Sequence, residues 1–238
     1  MQMTHADFSR STAIRTSLKR GLARQALTTA ERESADLPAL FAIAASLRPN
    51  PKGLDRIAAR LGTRRGVTRV ALTSCRKSLG FTARAVRQVE AKVQGETAFC
   101  ETGLIYLRAQ ADMTGGRIGF RVSAVGFCGH ALERLVERSD VRLDAPLLQV
   151  IDIEAHAILR GLERGAWIVE DGDEFYPPST TGLWAGGQDG LCMEQDWGLS
   201  TDVVPTIPIF SVRTFLSPAE MRPTLYLRWK DDPSCRLL

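Results

Sequence analysis

The sequence predicts an α+β protein: a basic helical N-terminal part over residues 1–94, then an antiparallel sheet with two flanking helices over 95–238. Three observations carry this expectation. Charge divides the chain, with 18 Lys and Arg against 6 Asp and Glu before position 95, and 13 against 21 after it. Texture divides it at nearly the same place. Helical patterns broken by Pro and Gly give way, after "SLGF" (78–81), to stretches rich in Val, Ile, Phe and Tyr. Finally, two segments of the second half carry a helical period. With 238 residues, 44% of them hydrophobic, the chain can bury a sizeable core.

The elements follow in order. The opening "MQMTHADFSRSTAIRTSLKR" has no apolar h-region, and no run of about 18 apolar residues follows, so a cytoplasmic protein without a membrane partner is expected. Residues 28–47 read as helical, with Thr28 and Glu31 spaced as a capping box and Pro38 as a break or kink. "RPNPKG" (48–53) reads as a linker, and 54–72 as two short helices with a turn near Gly62. "QVEAKV" (88–93), "TAFCETGLIYLRAQADM" (97–113) and "GRIGFRVSAVGF" (116–127) read as antiparallel strands around a Gly-Gly turn at 115–116. Helices are expected at 129–139 and at 145–162. The second places Leu147, Leu148, Ile151, Ala155, Ile158, Leu159 and Leu162 on one face. Strands "AWIVED" (166–171) and "IPIFSVRTF" (207–215) bracket a stretch read as a long loop, "GDEFYPPSTTGLWAGGQDG". No internal repeat is read.

Cys75, Cys100, Cys128, Cys192 and Cys235 are odd in number and dispersed, as are His5, His130 and His156. No metal, cofactor or disulfide framework is expected from that spacing.

In "IAARLGTRRGVTRVAL" (57–72), Ile57-Ala58, Leu61-Gly62, Arg65, Arg69 and Ala71-Leu72 form a pattern in which a small residue lets two helices approach and Gly62 accepts a turn. The pattern resembles the helix-turn-helix of GntR-like bacterial transcription regulators. The resemblance implies that Arg64, Arg65 and Arg69 face phosphates or base edges of DNA.

A second pattern lies in "FCGHALERLVERS" (127–139). His130, Arg134 and Arg138 share one side of a helix, while Leu132, Leu135 and Val136 point the other way. The i,i+4 neighbours Arg134–Arg138 and Glu133–Glu137 are like-charged, at a cost of a few tenths of a kcal/mol each. Stability alone does not select such a row; an anion does, since arginine offers phosphate a fork of donors. Histidine at the head of the row can exchange a proton near neutral pH. His156 with Asp152 reads as a surface pair, and Trp184 and Trp197 as lids over a core edge, with stacking on a base as the alternative.

The segment resembles the "S-x-H-A-x-x-R-x-x-x-R" stretch of small bacterial domains grouped with barnase, EndoU, colicin nucleases and RelE-like toxins. In those metal-independent ribonucleases the His-Ala-x-x-Arg stretch opens a helix, and a late strand brings a polar residue, often Thr, to the same site. "IFSVRTFLS" (209–217) is the counterpart here. The resemblance implies that His130 is general acid or base and that Arg134 grips the scissile phosphate. It further implies that Arg213 and Thr214 add hydrogen bonds and that Arg138 positions the substrate. The expected partner is therefore nucleic acid, RNA ahead of DNA, with cleavage by the RNA 2′-hydroxyl; a neutralising protein partner belongs to the same toxin-like reading. The alternative is a DNA-binding regulator working through 57–72 with an acidic dimerisation or ligand domain. A third reading is an inert ribonuclease-like fold that binds a partner.

Overall fold

The computed structural model describes residues 5–47, 51–72, 78–93, 96–114, 117–139, 146–165, 170–172, 174–192 and 206–232. It is an α+β fold. Six helices, α1 (His5–Arg32), α2 (Leu37–Ala45), α3 (Pro51–Gly62), α4 (Gly129–Arg138), α5 (Leu147–Arg164) and α6 (Pro223–Asp231), surround one sheet. Its strands are β1 (Val67–Leu72), β2 (Ser78–Val93), β3 (Glu96–Thr114), β4 (Arg117–Cys128), β5 (Glu170–Asp171), β6 (Glu174–Phe175), β7 (Pro178–Ser179), β8 (Gly182–Cys192) and β9 (Thr206–Leu216). The order is β1-β2-β3-β4-β9-β8-β6-β5, with β7 paired to β8. Neighbours run antiparallel except β4 and β9, whose ladder joins Ala124↔Ile209 to Phe127↔Val212 in parallel. No described helix is long and apolar enough to cross a membrane.

Strand alternation assigns the two faces. Leu79, Phe81, Ala83 and Ala85 of β2, Ile105, Leu107 and Ala109 of β3, and Ala124 of β4 meet α2 and α3 through Leu37, Leu40, Phe41, Leu54, Ile57 and Leu61. Leu104 and Tyr106, Val125 and Phe127, and Phe210, Val212 and Phe215 meet α1, α4 and α5 on the other face. Ala23, Ala26 and Ala30 let α1 lie close there. A smaller cluster of Tyr176, Leu183, Met221 and Leu225 holds α6.

Three expectations are corrected. Residues 67–72 form a strand, not a second helix: Leu72↔Leu79 and Val70↔Phe81 pair β1 with β2. The helix α3 stops at Gly62, and the turn is fixed by Gly66, whose φ of 74° and 2.5 Å approach of any Cβ to the Ala35 nitrogen exclude other residues. From that turn the Gly66 carbonyl accepts from the Arg84 nitrogen at 2.8 Å, and Val67 and Val70 then pack against the core. The capping box at Thr28 is also absent, because α1 continues through it to Arg32. Asp36 caps α2 instead, its Oδ1 accepting from the Ala39 nitrogen at 3.0 Å, and Pro38 sits harmlessly in the first turn. Finally, 174–192 is not a loop but holds β6, β7 and β8. Its glycines answer to packing: at Gly186, beside a bulge in the β8–β9 ladder, a Cβ would collide with the Ser211 carbonyl.

The charge boundary at 94 is not a structural one. It lies between β2 and β3, which pair from Ser78↔Asp112 to Val93↔Glu96, so described residues on both sides of it share one sheet and one core. The first residues of "AWIVED", 166–169, and Trp197 lie outside the described residues, as does the Gly-Gly turn at 115–116.

Candidate phosphate site on helix α4

The strand β4 ends at Cys128, and that residue caps α4: its Sγ accepts from the Ala131 nitrogen at 3.4 Å. Ala131, Leu132, Leu135 and Val136 are buried, which leaves His130, Glu133, Arg134 and Glu137 on the outer side. There Arg134 bridges two neighbours. Its Nε donates to His130 Nε2 at 3.3 Å, and its Nη1 donates to Glu137 Oε2 at 2.8 Å. The donation requires an unprotonated Nε2, so the exposed imidazole offers that lone pair beside a guanidinium.

Arg138 is occupied differently. Its Nη1 donates to the Phe215 carbonyl at 2.6 Å and its Nε faces Glu220 Oε1 at 3.0 Å, tying the last turn of α4 to the end of β9. Glu220 also accepts from the nitrogen and hydroxyl of Ser217, so the whole corner is cross-linked.

The strand carrying Arg213 and Thr214 does run past the start of α4, where the Cys128 thiol donates to the Arg213 carbonyl at 3.5 Å. Their side chains nonetheless leave the far face of the sheet. Val212 and Phe215, three residues apart across the bulge, both enter the core beneath α4, whereas a Cβ on Gly187 would stand 3.4 Å from Arg213 Nη2, placing that guanidinium over β8. Thr214 pairs with Ala185, which packs beside Leu183 and Leu216 under α6. The structure thus brings His130 and Arg134 together, and does not bring the side chains of Arg213 and Thr214 to them. The β-bulge between Ala185 and Gly186 shifts the register there, and no sequence period announces it.

Arg64, Arg65 and Arg69 do not form one helical surface. Arg64 and Arg65 occupy the turn after α3, where Arg65 Nη1 donates to the Arg32 carbonyl at 3.4 Å; Arg69 projects from the edge strand β1.

Sequence reasoning missed a repetition. "HALERLVER" (130–138) recurs as "HAILRGLER" (156–164), identical at the His, the Ala, the Arg four residues on and the closing Glu-Arg. The second copy lies on α5. Above it, Asp152 is no surface partner of His156. It accepts from Arg84 Nη1 at 2.9 and 2.7 Å and from the Tyr106 hydroxyl at 2.7 Å, while Arg84 Nη2 binds Glu33. Burial, with the Asp152 charge added, pushes the Tyr106 hydroxyl well above its usual range. Burial opposes the Arg84 charge, but Asp152, Tyr106 and Glu33 hold its pKa above the usual value. Glu154 turns inward, accepting from Trp184 Nε1 and Ser179 Oγ, both at 2.8 Å; burial raises its pKa against those two bonds. Burial and the charges of Arg69, Arg108 and Arg160 lower His156 to about 4, with Asp152 pulling the other way.

Comparison with known proteins gives no match: no family model fits the chain, and no curated protein or solved structure resembles it. Function is therefore argued from these side chains alone. Among the described residues no cluster of three His, Cys, Asp or Glu groups could hold a metal ion.

Proposed function

We propose that the chain is a metal-independent endoribonuclease in which His130 and Arg134 are the reacting pair. The observation that carries this reading is the 3.3 Å contact between Arg134 Nε and His130 Nε2 on the exposed side of α4. An RNA phosphate arriving there draws the guanidinium onto its non-bridging oxygens and frees the Nε2 lone pair. That nitrogen takes the proton of the 2′-hydroxyl as its oxygen bonds to phosphorus. The bond from phosphorus to the 5′-oxygen breaks, and the imidazolium returns the proton to the departing oxygen. A 2′,3′-cyclic phosphate and a 5′-hydroxyl result, with no atom or electron left over. Glu137, bonded to Arg134, keeps the guanidinium in line. Arg138 holds the helix rather than the substrate, and Arg213 and Thr214 take no part from the opposite face.

The regulator reading has no observation in its favour, since its recognition helix is a strand. The test is incubation of the purified protein with total RNA in excess EDTA, beside His130→Ala and Arg134→Ala, with analysis of fragment ends. Cyclic-phosphate ends that disappear in both folded variants are expected. RNA left intact by the wild-type protein, or cleavage that survives both substitutions, would overturn the proposal.

A further inference from the structure

The second copy of the nine-residue motif sits in a different electrical setting. His156 lies on α5 with Asp152 one turn before it and Arg160 one turn after. Across the sheet beneath, Arg69 of β1 pairs with Thr82 of β2, which pairs with Arg108 of β3, so both arginines rise on the face that α5 covers. Of the nearby carboxylates, Asp152 is held by Arg84 and Tyr106, and Glu163 pairs with one member of the group, Arg108, at 2.6 Å. Among the described residues neither Arg69 nor Arg160 has an ion-pair partner. His156 Nδ1 is shut off from solvent and has no hydrogen-bond partner among the described residues.

Buried polar atoms are nearly always satisfied, and like charges gathered beside a half-buried imidazole, with Arg69 exposed at the rim, repel one another. We propose that His156, Arg160, Arg69 and Arg108 form a binding site for a phosphate group. An oxyanion supplies the negative charge the cluster lacks, with its oxygens accepting from the three guanidinium groups and from an Nδ1–H of the neutral imidazole. The phosphate has two possible sources, a small free phosphate or the backbone of a nucleic-acid chain, and the chemistry of recognition is shared. The site owes nothing to the cleavage proposed at His130, which lies on another helix.

Binding has a direct spectroscopic signature. Burial and then the charges of Arg69, Arg108 and Arg160 oppose protonation of His156; a bound dianion offsets the arginine field. The full chain is titrated by NMR at the His156 imidazole, in chloride and in inorganic phosphate of equal ionic strength. A parallel titration uses a short RNA oligonucleotide. Phosphate is expected to raise the His156 midpoint from about 4 by one unit or more and to raise Tm, whereas chloride does neither. Arg69→Gln and Arg160→Gln should each weaken phosphate binding by about tenfold, the loss of a charge-assisted hydrogen bond. Arg24→Gln, an exposed change on α1, should leave binding unaltered. Arg69 is exposed on an edge strand, so its substitution keeps the fold, which near-ultraviolet circular dichroism verifies.

A shift with inorganic phosphate identifies a small-anion site. A shift with the oligonucleotide alone identifies a chain phosphate. Absence of both shifts, or wild-type phosphate affinity in Arg69→Gln, overturns the proposal. RNA cleavage is followed in the same samples, so loss of anion binding with cleavage intact separates this failure from failure of the His130 site.

Discussion

The helices α4 and α5 share five residues of a nine-residue stretch, the His, Ala, Arg and closing Glu-Arg, and use them in opposite ways. On α4 the arginines close on the protein itself: Arg134 on His130 and Glu137, Arg138 on Phe215 and Glu220. On α5 the histidine is turned toward a sheet face whose strands present Arg69, Thr82 and Arg108, and the ring nitrogen finds no partner. The motif is constant; what differs is which neighbours the packing supplies. Beneath α4 the sheet offers Phe127, Val212 and Phe215, so the polar row is expelled to the surface. Beneath the middle of α5 it offers charged side chains, so part of the polar row is drawn in. A residue pattern therefore defines a row of groups, while the opposing surface decides whether that row meets solvent, a carboxylate or an anion.

The comparison breaks most sharply in activity. His130→Ala is expected to lower RNA cleavage by about 10²–10⁴-fold, the usual reach of a proton-transfer group. His156→Ala should leave the cleavage rate within a factor of a few, and a gel assay on one RNA compares the two. Equal losses would mean that the copies act together. The next effect concerns stability. Asp152→Ala strips Arg84 and Tyr106 of their shared acceptor under α5 and leaves a buried cation short of one carboxylate. A loss of about 3 kcal/mol is expected in urea unfolding. The α4 counterpart, Arg138→Gln, removes a half-covered splint and should cost about 1–2 kcal/mol.

A smaller effect lies in pH. The folded-state pKa of His156 is depressed, to about 4 from 6.5. Its contribution to stability is therefore present above 6.5 and is lost as pH falls through that window. Glu154, on the same helix, has a raised pKa, so its contribution is present at low pH and is lost as pH rises above 4.5 through its folded value. Where both titrate, above pH 4.5, the two groups give slopes of opposite sign. Thermal unfolding of His156→Gln should lose the destabilisation on acidification, and Glu154→Gln should lose the stabilisation. A His156→Gln curve that superimposes on wild type would remove the premise that the ring is held neutral.

Much of the architecture was legible because burial imposes a period. The apolar stripe of α5 matches the buried Leu147, Leu148, Ile151, Ala155, Ile158 and Leu159, and β3 and β4 alternate cleanly where helices cover both faces. Three features were not legible. The strand β1 hides because Arg64, Arg65 and Arg69 imitate a helical basic face, and only the contact of Gly66 with Ala35 forces the turn. The strand β8 hides because glycine has poor strand propensity, although β9 and Trp184 require it there. The candidate site was half legible. The His130–Arg134 pair follows from i,i+4 spacing, whereas the face taken by Arg213 and Thr214 depends on a bulge. Glu154 escaped notice because its partners, Ser179 and Trp184, lie 25 and 30 residues away.

The position of β9 has a consequence for the order in which the molecule can be made. It is a late strand inserted at the middle of the sheet, against β4, with β8 on its other side. At a ribosomal rate of 5–20 residues per second, the interval between finishing β4 and finishing β9 is on the order of ten seconds. A β4 formed before β9 is made would have the backbone donors and acceptors of its outer rim unmatched, the kind of edge that pairs with another chain. The strand that seals this edge is therefore made well after the edge itself, and the seam it closes runs beside His130.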